Sequence, residues 1–321
     1  MVLIRESEYQ EKMREAEAEL AAVRVTEKLC VKDGELSVYC YFPPDMRAVL
    51  LLLHGTTESA EKYHEMIWYF VQNGIGVAAP DMRGHGKSLR LVEDPYLVHV
   101  ERFEDYVDDA EMIVNKMLDS LSKPIYLFGH SLGGAVAASL MLRMPERFSH
   151  VVLCSPMVDP SSGSIPRWIG VLIARFSILI GCGKKMVFVS SPYNPEKNTF
   201  EASCDTGKAR FEYYKAKRIR EKAYQTSGIS YRWTAESFGV KRMLLNHPNI
   251  GALHAKVLLC QAGKDTVVCL PAQDAFAAKL PDARVVRFDD AKHEIGFSED
   301  STMERFMNEI LRFFGAEPLQ S

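Results

Sequence analysis

The pentapeptide Gly129-His130-Ser131-Leu132-Gly133, in the pattern Gly-x-Ser-x-Gly, lies between a short apolar run, Pro124 to Phe128, and an Ala/Leu-rich stretch over 135–143. The first reads as a strand and the second as a helix, so the chain must reverse from one to the other within about five residues. Only small flanking residues leave room for so tight a turn, which accounts for the glycines. Ser131 then projects from strained backbone as a nucleophile elbow, with the amide N–H groups of a helix N-terminus beneath it. The competing reading makes Ser131 an ordinary helix N-cap. A hydroxyl is a weak nucleophile near neutral pH, so the catalytic reading requires a base, an acid to orient that base, and oxyanion donors elsewhere in the chain.

At 321 residues and 47% hydrophobic composition, the chain has enough apolar material for one large domain or one domain with an insertion. The first ten residues carry Arg5, Glu6 and Glu8 and no long apolar run, so neither a signal nor a transit peptide is expected. Seven cysteines without Cys-x-x-Cys spacing suggest reduced thiols and no metal site. Cytoplasmic residence is the expectation, with peripheral contact at the inner membrane face through the insertion described below. Charge is unevenly distributed: residues 184–245 hold 13 Lys+Arg against 6 Asp+Glu in a chain of net charge -3. That asymmetry suits an anion-facing surface or a solvated helical face, and nucleic-acid binding is disfavoured because no recognition motif accompanies it.

Residues 4–22 read as a surface helix, and strands over 28–31 and 35–42 flank the turn dipeptide Asp33-Gly34. Apolar strands over 48–53, 76–79, 124–128, 151–154, 257–261 and 284–288 then alternate with helices near 61–72, 102–121, 135–143, 273–280 and 303–314. Fully apolar strands separated by helices imply an α/β fold with a mostly parallel sheet covered on both faces. Chemistry in such sheets collects at the carboxyl ends of the strands. Each of the six strands is followed by a cluster of small or polar residues, among them His54-Gly55-Thr56-Thr57-Glu58, the elbow, Gly263-Lys264-Asp265 and Lys292-His293-Glu294.

In folds built around an elbow serine, the acid and then the base follow it along the chain. Of nine histidines, His293 stands after the last strand and is the expected general base, whereas His54 and His85 sit beside glycines and read as loop supports. Asp265, just past the preceding strand, is the expected partner of the imidazole, and Asp159, after the strand following the elbow, is the second candidate. The backbone N–H groups of Leu132 and Thr56 are the expected oxyanion donors.

The elbow with Gly134, the His54-Gly55 loop and Asp81-x-Arg83-Gly84-His85-Gly86-x-Ser88 resemble the serine α/β-hydrolases of the lysophospholipase and monoacylglycerol lipase group. The run from His99 to Asp109 and the late Lys292-His293-Glu294-Ile295 are most similar to bacterial lysophospholipases. The likeness covers 35–156 and 255–315. It implies the α/β-hydrolase fold, with a triad falling on Ser131, Asp265 and His293, no cofactor or metal, and cleavage of a lipid carboxylic ester. The alternatives are a general carboxylesterase, a serine aminopeptidase-like hydrolase and a non-catalytic binding protein of the same fold. One departure is Lys62 before Tyr63, where monoacylglycerol lipases usually carry arginine. The expected organisation is a helical lead-in over 1–27, a core over 28–156 and 251–321, and a helical cap over 157–250. Within that cap, residues 165–180 are too short and too charged to span a membrane and read either as a helix packed on the core or as an amphipathic lid that lines an acyl pocket or touches lipid, with a basic, aromatic-bearing stretch downstream that could meet anionic headgroups.

Overall fold

The computed structural model describes residues 2–320. In chain order the strands are β1 (Arg24–Val31), β2 (Gly34–Tyr41), β3 (Ala48–Leu53), β4 (Ile75–Pro80), β5 (Leu97–Val98), β6 (Ile125–His130), β7 (Phe148–Cys154), β8 (Gly228–Ile229), β9 (Lys256–Ala262) and β10 (Ala283–Phe288). Eight of them form one sheet in the order β1-β2-β4-β3-β6-β7-β9-β10, while β5 and β8 pair separately. The β1–β2 and β2–β4 pairings are antiparallel, and every other pairing in the large sheet is parallel.

Helices cover both faces because central strands such as β3 are apolar on both sides. In β3, Val49, Leu51 and Leu53 join one core cluster while Ala48, Leu50 and Leu52 join the other. Each buried leucine there contributes about 1.5–3 kcal/mol. The first face is covered by α3 (Glu104–Ile113), α4 (Leu132–Arg143), α8 (Val240–Leu245) and α9 (Leu270–Ala277). The opposite face takes α1 (Tyr9–Val23), α2 (His64–Gln72) and α10 (Asp300–Phe313). The remaining helices, α5 (Arg167–Leu179), α6 (Lys208–Arg220) and α7 (Tyr231–Ser237), lie with α8 between β7 and β9.

Three expected elements differ in detail. Strand β1 begins at Arg24 rather than at 28, because its first residues pair with β2 while their side chains stay largely exposed and so carry no apolar alternation. The helix expected over 102–121 ends as an α-helix at Ile113 and continues as a π-helical turn (Val114–Leu118) and a 3-10 turn (Asp119–Leu121). The N-terminal helix starts at Tyr9 rather than at residue 4, and Tyr9, Met13, Ala16 and Leu20 recur at helical spacing and are buried against the body.

Candidate active site

At the end of β6, Ser131 adopts φ 51° and ψ −112°, a conformation that an L-residue occupies only under constraint. Crowding around the turn explains its neighbours. A Cβ on Gly129 would lie 2.2 Å from the Gly133 carbonyl oxygen, and one on Gly133 would lie 2.1 Å from that of Leu53. The elbow is tied down by its backbone: Ser131 N–H donates to Cys154 O at 3.0 Å, its carbonyl accepts from Met157 N–H at 2.9 Å, and Gly133 N–H reaches His54 O at 3.1 Å. The Gly133 bond brings the start of α4 against the turn that leaves β3, where Thr56 lies. Among the described residues the N–H groups of Leu132 and Thr56 have no internal acceptor. Ser131 itself is only 6% exposed.

Asp265 and His293 come together from the turns after β9 and β10. The His293 Nδ1–H donates to Asp265 Oδ2 at 2.7 Å, while Asp265 Oδ1 accepts the N–H groups of Val267 at 2.8 Å and Val268 at 3.1 Å. Burial pushes the Asp265 carboxyl up, but the His293 bond and charge and the two amides hold it below its ordinary value. With Nδ1 committed as donor, Nε2 is the proton-accepting nitrogen; it is buried and has no hydrogen-bond partner. The His293 ring lies 5.0 Å from that of His130, the residue before Ser131. Asp159 is engaged elsewhere, with Lys241 at 3.1 Å and with Arg167.

The histidines read as loop supports occupy such positions. His54 Nε2 accepts the Met82 N–H at 3.0 Å, so Nδ1 carries the proton donated to Gly55 O at 2.8 Å, and the loops after β3 and β4 are joined. His85 Nδ1 bonds Arg83 O, and Arg83 grips Asp109 with two 2.7 Å bonds.

One buried group was not singled out from the sequence. Glu58 Oε2 accepts Gly55 N–H at 2.7 Å and Tyr63 OH at 2.7 Å, and Glu58 Oε1 meets Lys62 at 2.5 Å. The same ammonium reaches Glu294, beside His293, at 2.7 Å, and Tyr63 OH contacts His130 Nδ1 at 3.0 Å. Five side chains thus connect the Gly55 turn, the elbow and the His293 loop. Burial opposes the imidazolium of His130, but the Glu294 and Glu58 carboxylates outweigh it and raise the ring to about 9. The i,i+4 spacing of Glu58 and Lys62 was the one signal in the sequence.

Among the described residues two groups of side chains have the composition of a metal site: His130 with His293 and Glu294, and Glu17 with Glu61 and His64. Each already holds an ammonium, Lys62 against Glu294 in the first and Lys217 against Glu17 and Glu61 in the second. The seven cysteines are all free thiols.

Outside the elbow region, α5 presents Trp168, Leu172, Phe176 and Leu179 to solvent at helical spacing, with Trp168 66% and Leu179 82% exposed. Beneath it a cavity of about 470 Å³ is lined by apolar side chains including Ile165, Ile173, Val187 and Phe238. The aromatics of the basic stretch turn inward instead: Phe211, Tyr224 and Trp233 are buried. Among the described residues no helix is long and apolar enough to cross a membrane.

A mostly parallel sheet flanked by helices, with a strained serine between β6 and α4 and a His–Asp pair from the last two strand ends, defines an α/β-hydrolase. The family model Hydrolase_4, described as serine aminopeptidase, S33, matches residues 44–300, and the chain belongs to that family. It is 25% identical over 274 residues to the probable lysophospholipase L2 of Haemophilus influenzae, covering 85% of each chain. It is 29% identical over 283 residues to lysophospholipase L2 of Escherichia coli K12, covering 83% of this chain and 80% of that one. Likeness to the monoacylglycerol lipase of Mycolicibacterium smegmatis reaches 33% over 149 residues, 46% of this chain and 50% of that one. In fold it is similar to the Saccharomyces cerevisiae monoglyceride lipase, with TM-score 0.71, 16% identity, and 91% and 94% of the two chains covered.

Proposed function

We propose that this hydrolase cleaves carboxylic esters of lipids, with lysophospholipids as the principal substrates and monoacylglycerols as the second reading. The observation that carries the lysophospholipid reading is the extent of the likeness. An alignment of 274 residues to a lysophospholipase L2 cannot avoid the 157–250 insertion, whereas the 149-residue likeness to the monoacylglycerol lipase is short enough to lie within the rest of the chain.

In the proposed mechanism His293 Nε2 takes the Ser131 hydroxyl proton as Oγ attacks the ester carbonyl carbon. The carbonyl oxygen becomes an oxyanion held by the Leu132 and Thr56 N–H groups, and the loss of one such donor costs about 10²–10³ in turnover. Asp265 stabilises the imidazolium, which returns the proton to the departing alcohol. Water, deprotonated by the same nitrogen, then releases the fatty acid and restores Ser131.

Residues 157–250 act as a cap over a core of 28–156 and 251–321, with 1–27 as its lead-in. The burial of Ser131 supports a cover that must open for a lipid to enter, and the apolar cavity beneath α5 suits an acyl chain. The exposed apolar stripe of α5 is the surface proposed to rest on lipid.

A panel of esters differing in headgroup and acyl chain, including lysophosphatidylcholine, monoacylglycerol and p-nitrophenyl esters, with amino-acid anilides as the peptidase arm, tests this reading. Turnover of the lipid esters that disappears in Ser131→Ala is the expected result. Cleavage of anilides alone, or turnover retained by Ser131→Ala, contradicts it.

A further inference from the structure

Helix α6 uses two faces for different ends. On one, Arg210 is fully buried and grips Glu65 through two 2.9 Å bonds and Asp300 at 3.0 Å, while Tyr213 and Lys217 reach Glu17 of α1. This face anchors the helix to the body. The residues one position on, Phe211, Tyr214, Lys215 and Arg218, recur at i, i+3, i+4 and i+7 and line a polar cavity of about 270 Å³. Thr56 and Glu294, next to His293, also line it. It therefore borders both the expected oxyanion turn and the histidine loop.

Two cations of the cavity wall are left without an ion-pair partner among the described residues. The carboxylates of Glu58 and Glu294 are held by Lys62, and both face His130, whose ring carries a proton at neutral pH. Asp205 lies 3.9 Å from the same ammonium, and its burial, only partly countered by Lys62, raises its carboxyl to about 6. Arg210 is matched outside the cavity by Glu65 and Asp300. Lys215 and Arg218 remain, both half-buried and, among the described residues, without a carboxylate partner. Arg218 is held in place by bonds from Nε to Tyr224 O at 3.0 Å and from Nη2 to Thr226 O at 2.8 Å, with its guanidinium over the Tyr193 ring, so Nη1 is uncommitted. A positioned guanidinium beside an ammonium is a chemistry suited to phosphate oxygens.

The geometry points to this cavity as the seat of a substrate phosphate, with Lys215 and Arg218 as specificity-determining residues that favour a phosphate-bearing headgroup over an uncharged glycerol. The inference rests on the ester-hydrolase reading and names the substrate class within it. The volume agrees, being below the usual range for a whole drug-sized ligand and adequate for a headgroup alone. With the acyl carbonyl at Thr56 and Leu132, the alcohol side of the ester is directed toward α6 and the acyl chain away from it.

The test compares wild type, Lys215→Glu, Lys215→Arg and, as a control of equal charge change at an exposed distant site, Lys123→Glu. The ratio of kcat/KM for lysophosphatidic acid to that for a monoacylglycerol of the same acyl chain is measured for each. The expected result is a ratio at least tenfold lower in Lys215→Glu, and within threefold of wild type in Lys215→Arg and Lys123→Glu. Glycerol 3-phosphate and inorganic phosphate titrated by calorimetry give a readout independent of turnover, and binding of glycerol 3-phosphate should weaken at least fivefold in Lys215→Glu. An unchanged ratio overturns the inference, and so does a loss confined to inorganic phosphate, which would make the cavity a free-anion site. Absence of ester turnover in wild type would instead remove the ester-hydrolase reading, leaving calorimetry to decide whether the cavity takes phosphate.

Discussion

A 2.1 Å approach leaves Gly133 no substitute: any Cβ there must displace the Leu53 carbonyl, which belongs to a fully buried strand. Gly133→Ala is accordingly expected to lose about 3–5 kcal/mol of unfolding free energy by urea titration, within the range of severe backbone and packing defects. Asp265→Asn is a different kind of change. Its backbone-anchored turn survives, but an amide can no longer neutralise the imidazolium and can stabilise the wrong tautomer of His293, so kcat should fall about 10³–10⁴-fold while the melting temperature moves little. An intact fold with unchanged kcat would remove Asp265 from the mechanism. His54 illustrates a third role: its two ring nitrogens are spent on Met82 N–H and Gly55 O, so it positions a turn and has no nitrogen left for substrate.

At the scale of elements, the Lys62 ammonium, on the 3-10 turn (Ala60–Tyr63) that leads into α2, ties the loop after β3 to the His293 loop. Lys62→Met leaves Glu58 and Glu294 buried against each other without that cation, and a loss of about 3–5 kcal/mol is expected, with much of it recovered by Lys62→Arg. His130 makes the same network pH-sensitive. Its folded value of about 9 lies above its ordinary 6.5, so the stability it contributes is fully present below about pH 6.5 and is lost as pH rises through about 9. Urea unfolding at pH 6 and pH 9.5 should differ by on the order of 3 kcal/mol more in wild type than in His130→Gln. These elements also mark what a sequence can disclose. The sheet strands were legible because β3 and β4 are apolar at every position and β6 is an apolar run up to Phe128, and the elbow because its glycines answer a local steric demand. Strand β1 was legible only in part, since an edge strand with exposed side chains is specified by its partner's backbone. The Glu58–Lys62–Glu294 group was hidden for a related reason: its members lie 4 and 232 residues apart, and burial in the fold is what brings them together.

For the molecule as a whole, the uneven charge of the sequence resolves into pairing across the body. Lys217 and Arg210 meet acids of α1, α2 and α10, Lys241 meets Asp159, and the half-buried pair on α6 is left facing a cavity. The insertion meanwhile turns an apolar helix outward. Replacing Trp168, Phe176 and Leu179 together with serine is expected to lower co-sedimentation with phosphatidylglycerol vesicles at least tenfold and to leave hydrolysis of a short soluble ester unaltered; equal vesicle binding would exclude α5 as the lipid-facing surface. The catalytic expectations depend on a single reactive oxygen. The most direct measurement is therefore to label the protein with a fluorophosphonate and locate the adduct by peptide mass spectrometry. The account predicts one adduct, on Ser131, absent in Ser131→Ala together with all ester turnover. An adduct on another residue, or an unlabelled Ser131 in a protein that still hydrolyses esters, would contradict it.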